Sequence, residues 1–175
     1  MGGCASRSKD VAGKPLTARL SAHPLAQVTL LSRADETELA AATLYESGYW
    51  CGEAVLKTIN DIAPEPLPSD AFRLASGFCE GFGGSRCTCG ALAGSVMAAG
   101  LLTGRRGPDD AWEPVYNFAG ELRRRFIADQ EADTGDAIVA RIGDMGDPAR
   151  WAHCALLVGR CARWVVEIAE ERGEL

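Results

Sequence analysis

The chain has 175 residues, 47% of them hydrophobic, and a formal net charge of −6. That is enough apolar material for one packed domain and too much for a disordered chain. The acidic balance argues against a nucleic-acid groove, since Arg123, Arg124 and Arg125 form the one dense basic cluster. No run reaches the roughly 20 apolar residues that span a bilayer.

Residues 1–34 mix Gly, Ser, Lys and Pro around a short apolar run, Val28 to Leu31, and read as an amino-terminal extension. Met1-Gly2-Gly3-Cys4-Ala5-Ser6 fits the myristoylation pattern, but so short a match recurs by chance. The segment lacks the basic-then-apolar layout of a secretory signal, so the expected address is cytoplasmic.

Residues 35–175 read as one cysteine-rich helical domain. Asp35 and Glu36 suit a helix amino end, and Leu39, Ala42, Leu44, Ala54, Val55, Leu56 and Ile59 supply an apolar face. Gly48 marks a kink or break within that span. Pro64, Pro66 and Pro68 stop it, and Ser69 or Asp70 caps a short helix through Ala75.

A glycine-rich loop follows, Gly77-Phe78-Cys79-Glu80-Gly81-Phe82-Gly83-Gly84-Ser85-Arg86. Thr88 to Leu102 then forms a helix with Gly90, Gly94 and Ala98 at four-residue spacing, a stripe that admits a close neighbour. Pro108 suits the first turn of the next helix, which runs to about Ala128 and buries Trp112, Val115, Phe118, Ala119, Leu122 and Phe126. A shorter helix spans Asp136 to Ile142, and Asp147-Pro148 opens a last one to about Glu171. No alternating strand pattern survives, so the fold class is all-α, a bundle of about five to six helices with a glycine-rich cysteine loop.

Seven cysteines are the informative excess. Without a secretory signal and with an odd count, they point to metal or redox work rather than to disulfides. Six fall at three places: Cys51 on the first long span, Cys79 with Cys87 and Cys89 around the glycine loop, and Cys154 with Cys161 on the last helix. These six are the candidate metal ligands.

The loop glycines Gly81, Gly83 and Gly84, and Gly90 at the helix start, can turn backbone N–H groups toward sulfur. That is the environment that stabilises anionic iron–sulfur clusters. Cys154 and Cys161 lie about 10 Å apart along a helix, too far to chelate one small ion, although they can flank a cluster several atoms wide. Glu53, Glu80, Arg86 and His153 neighbour cysteines in sequence. Glu53 and His153 are the candidate proton-moving residues, against the plainer reading of ordinary surface roles. Buried cysteines also serve as small hydrophobes, so a core-filling role stands beside the redox one.

Cys51 with Glu53-Ala54-Val55-Leu56, then Gly81-Phe82-Gly83-Gly84, Cys89-Gly90-Ala91-Leu92-Ala93-Gly94 and Cys161 resemble the C-GCAxxG-C-C family of redox-active proteins. The resemblance covers roughly residues 36–170, with 81–100 its most specific part. It implies a cysteine-rich protein holding an iron–sulfur cluster. The family usually carries a further cysteine where this chain has Gly135-Asp136-Ala137-Ile138-Val139, whereas Cys79, Cys87 and Cys154 are additional here.

The expected function is therefore an iron–sulfur redox protein, either an electron carrier or an oxidoreductase, serving a redox partner protein or a small-molecule substrate. Nucleic acid and membrane are not expected partners, and one apolar helix face could support a homodimer. The alternatives are a metal-free thiol–disulfide protein and a zinc- or copper(I)-binding module without catalysis.

Overall fold

The computed structural model describes residues 30–143 and 146–175, and the fold is built by the stretch from Leu31 onward. The myristoylation-like segment, Cys4 and nearly all of the expected extension lie outside the described residues. Six α-helices and one 3-10 helix, with no strand, make up this part: α1 (Arg33–Glu46), α2 (Cys51–Ile62), the 3-10 helix Ala71–Phe78, α3 (Gly90–Thr103), α4 (Glu113–Gln130), α5 (Gly135–Ile142) and α6 (Pro148–Arg172).

The all-helical class follows from the sequence, but the count of five to six helices becomes seven. The first expected helix is two. Gly48 adopts φ +109°, a conformation that ends α1, and α2 restarts at Cys51 on a new axis. The break also resets the helical phase. The core face of α1 is Ala34, Thr37, Ala41 and Tyr45, while Leu39 is 62% exposed.

Local chemistry fixes the ends. Ser32 accepts from the Asp35 N–H at 3.1 Å and donates its own N–H to the Asp35 carboxylate at 2.9 Å, a capping box that starts α1. Between α3 and α4, the Asp110 carboxylate accepts from the N–H groups of Arg106 (2.7 Å) and Gly107 (3.1 Å). That turn delays α4 beyond Pro108, and Pro114 takes the first-turn place instead. Trp112 is consequently the residue before the helix and 52% exposed, not buried. Phe118, Leu122 and Phe126 are fully buried as expected, each contributing about 1.5–3 kcal/mol.

Two kinds of contact hold the helices. α1 lies along α6, where Arg163 reaches Asp35 and Glu38 on α1 and Glu167 on its own helix. α2 instead meets α3 backbone to backbone. A side-chain carbon on Gly94 would stand 2.6 Å from the Gly52 carbonyl oxygen, and one on Gly52 would stand 2.9 Å from the Gly90 oxygen. Only glycine permits that approach, so the small-residue stripe on α3 is used for helix contact.

Candidate functional site

The α2–α3 crossing brings two helix amino ends together, and a cysteine sits at each. Cys51 is the first residue of α2, and Cys89 is the residue that caps α3. The segment before α3 is pinned to the start of α5. Cys89 N–H donates to the Asp133 carbonyl at 2.9 Å and Gly135 N–H to the Cys87 carbonyl at 2.7 Å, around an antiparallel bridge of Thr88 with Thr134. The first turns of α6 then bring Cys154 alongside.

Cys51, Cys89 and Cys154 line one apolar cavity of about 60 Å³, with Ile138 and Val139 from α5 and Leu157 and Val158 from α6. That is room for a few water-sized groups. Cys161, fully buried two turns further along α6, lies within electrostatic reach of Cys89 and Cys51 and faces Ser95.

The electrostatics of the four thiols share one cause. Burial pushes Cys51 up to about 12, and the neighbouring Cys89 adds to the shift. Burial likewise pushes Cys89 up to about 11 and raises Cys154 and, most strongly, Cys161. Backbone N–H groups oppose it at two sulfurs. Those of Gly52 and Glu80 act on Cys51, and those of Ala91 and Leu92, in the first turn of α3, act on Cys89. The Tyr45 hydroxyl donates to Cys154, and Arg150 favours the thiolate there. As free groups these thiols stay protonated near neutrality. A bound cation is what would deprotonate them.

The lip of the cavity is the turn between the 3-10 helix and α3. Glu80 (φ +48°), Gly81 (+71°), Phe82 (+58°), Gly83 (+64°), Gly84 (+81°) and Arg86 (+57°) all occupy the left-handed region. Non-glycine residues there cost about 1–2 kcal/mol each. The strained backbone turns the Glu80 N–H toward Cys51 and carries Glu80 and Arg86 into the cavity wall. Glu80 meets the buried Arg150 at 3.7 Å, and Arg86 meets Asp136 at 3.6 Å.

The residues singled out in sequence separate into two groups. Cys51, Cys89, Cys154, Gly81 and Gly90 line the cavity, with Cys161 behind it. Cys79 is half-buried and Cys87 exposed, both on the lip turn and outside the cavity wall, as are Gly83 and Gly84. Glu53 has both carboxylate oxygens engaged, accepting from the Trp50 N–H at 3.0 Å and the Ser76 hydroxyl at 2.5 Å, so it ties α2 to the 3-10 helix. His153 points to Gln130, its Nε2 2.8 Å from the amide oxygen, and lies off the cavity. Asp136 is exposed.

Sequence reasoning missed Tyr45, Arg150 and Trp151. Arg150, Cys154, Leu157 and Val158 repeat at helical spacing, a signal that would have found the α6 wall. Among the described residues, no three His, Cys, Asp or Glu side chains stand close enough to hold a single metal ion. The thiols are spread around a cavity instead, with soft donors and N–H groups aimed at sulfur. Cys51, Cys89 and Cys154, with Cys161 behind them, are the soft donors that could hold a metal or cofactor.

No helix among the described residues is long and apolar enough to cross a membrane. No curated protein and no solved structure matches the chain at a significant level. A family profile described as "Putative redox-active protein (C_GCAxxG_C_C)" matches residues 49–168, a span reaching from just before Cys51 to just beyond Cys161 and covering more than half of the sequence. The chain therefore belongs to the C_GCAxxG_C_C family.

Proposed function

We propose that this protein binds an iron–sulfur cluster at the thiol cavity and works as a redox protein. One observation carries the reading. Three thiols from three helices line one apolar cavity, and backbone N–H groups are directed at two of them. Cys51, Cys89 and Cys154 are the ligands in this proposal, with Cys161 behind them as the fourth thiol; Cys79 and Cys87 remain on the lip. An iron–sulfur cluster supplies one-electron transfer, at a potential set by hydrogen bonds to sulfur and by exposure.

The chain's own residues do the rest. The helix ends at Cys51 and Cys89 offset the negative charge of thiolate, and Arg150 does so beside Cys154. The aliphatic walls from α5 and α6 keep water away. The acceptor or donor outside the site is a redox partner protein or a small molecule.

A second reading, metal-free thiol–disulfide chemistry, draws on the absence of a single-ion site among the described residues. The raised thiol pKa values weigh against it, because the thiolate is the attacking species. Anaerobic purification with iron and sulfide analysis and electron paramagnetic resonance separates the readings. Stoichiometric iron and sulfide with a cluster signal are expected. Protein free of iron and sulfide, losing thiols on oxidation, would sink the cluster proposal; bound zinc or copper would select the storage alternative.

A further inference from the structure

The cavity mouth carries features that holding a cluster does not require. Trp50, just before α2, and Trp151, in the first turn of α6, both line the cavity yet stay 40% and 43% exposed. The Tyr45 ring packs 5.8 Å from Trp151 at 34°, and the Arg150 guanidinium lies 5.6 Å from the Trp151 ring centre. These neighbours hold the indole in place. Exposed tryptophan beside a concave apolar wall is a surface suited to a flat aromatic guest.

The charges at the mouth divide the same way. Glu80 answers Arg150 from within the wall at 3.7 Å. Arg86 pairs with Asp136 at a similar 3.6 Å, but its side chain is 40% exposed against 7% for Arg150, so Arg86 is the cation an incoming anion meets first.

Size sets the pose. A cavity of about 60 Å³ is too small for a ring system and is the place given above to the cluster, so a guest must lie outside it, over the tryptophans at the mouth. The two indoles belong to a concave wall shared with the thiols, which favours a small guest over a protein face. A separate exposed aromatic pair, Trp112 and Tyr116 at 5.1 Å, lies off the cavity and serves as an internal comparison.

We infer that the mouth of the thiol cavity binds a planar, conjugated redox molecule bearing an anionic group, stacked against Trp50 and Trp151 with its anion at Arg86. The choice of a conjugated guest rests on the redox reading of the site given above.

The test is anaerobic equilibrium dialysis of the full chain against flavin mononucleotide, riboflavin and anthraquinone-2-sulfonate. Saturable binding of flavin mononucleotide or the sulfonate is expected. Trp50→Leu and Trp151→Leu should each weaken it about tenfold or more, while Trp112→Leu leaves it unchanged. Trp50→Phe and Trp151→Phe keep a ring and should fall in between, which separates lost stacking from misfolding. Arg86→Gln should erase any preference for flavin mononucleotide over riboflavin. Binding of neither anionic probe, or binding indifferent to both tryptophan substitutions, overturns the inference; a site built for a protein partner gives that result. Iron and sulfide measured on the same samples keep the two proposals apart: bound dye without iron sinks the cluster, and iron without bound dye sinks the inference.

Discussion

Cys87 and Cys89 are separated by one residue, yet they belong to different environments. Cys89 caps α3 and lines the cavity with Cys51 and Cys154, which come from helices far away in sequence. Cys87 is exposed on the outer side of the same lip. Extended backbone through the bridge at Thr88 would by itself point both side chains the same way; what distinguishes them is that Cys89 caps α3, while Cys87 follows Arg86, at φ +57°, on the lip turn. Nearness along the chain was a poor guide to nearness in space. Position at a helix end was a better one.

The strongest way to break this contrast is to delete each thiol. Cys89→Ala is expected to remove essentially all bound iron, and Cys87→Ala to leave the iron-to-protein ratio as it is. Equal losses in both variants would erase the distinction between cavity and lip.

A second contrast uses glycines. A side-chain carbon on Gly90 would stand 2.5 Å from the Cys51 sulfur and 2.5 Å from the Phe78 carbonyl oxygen. Gly90→Ala should therefore cost about 1–3 kcal/mol in urea unfolding and lower iron content as well. Gly83 has open space around it and only its φ of +64° to object, so Gly83→Ala should cost about 1–2 kcal/mol and spare the iron. Iron loss in the Gly83 variant would move the lip into the site.

Reactivity sharpens the comparison further. In metal-free protein, iodoacetamide should modify Cys87 first and Cys161 last among the six described cysteines, read by mass spectrometry of quenched samples. Exposure favours the former, while burial keeps the latter a protonated thiol. Early labelling of Cys161 would mean that the cavity opens readily.

The smallest effect lies away from sulfur, on the α1–α6 face. The Ser32 hydroxyl, the Ser32 N–H and Arg163 hold the Asp35 carboxyl down to about 2, against 3.8 in an unfolded chain. The folded pKa is the lower one, so the resulting stability is present above pH 3.8 and fades as pH falls toward 2. Asp35→Asn should flatten the acid limb of the stability profile slightly, with iron content at pH 7 unchanged.

The helices were legible because their punctuation is local: Gly48, the proline run at 64–68 and Pro148 act through backbone geometry, and Asp147 through its carboxylate, which accepts from the Ala149 N–H. Trp112 was misplaced because the turn built by Asp110 is a side-chain arrangement with no periodic signature. The capping box of Ser32 with Asp35 is local as well, a serine three residues before an acid at the start of α1. Within the site, cysteines at helix starts announced themselves. The tyrosine, arginine and tryptophan around Cys154 did not, since their significance depends on which face α6 turns to α1 and α2.

Gly52, Gly90 and Gly94 leave no side chains between α2 and α3 to act as adjustable spacers. The gap between the sulfurs of Cys51 and Cys89 is accordingly gauged by main-chain atoms, which cannot hop between rotamers. A cluster held there as proposed would change shape little when it gains or loses charge, and a low reorganisation energy is the physical requirement for moving electrons quickly.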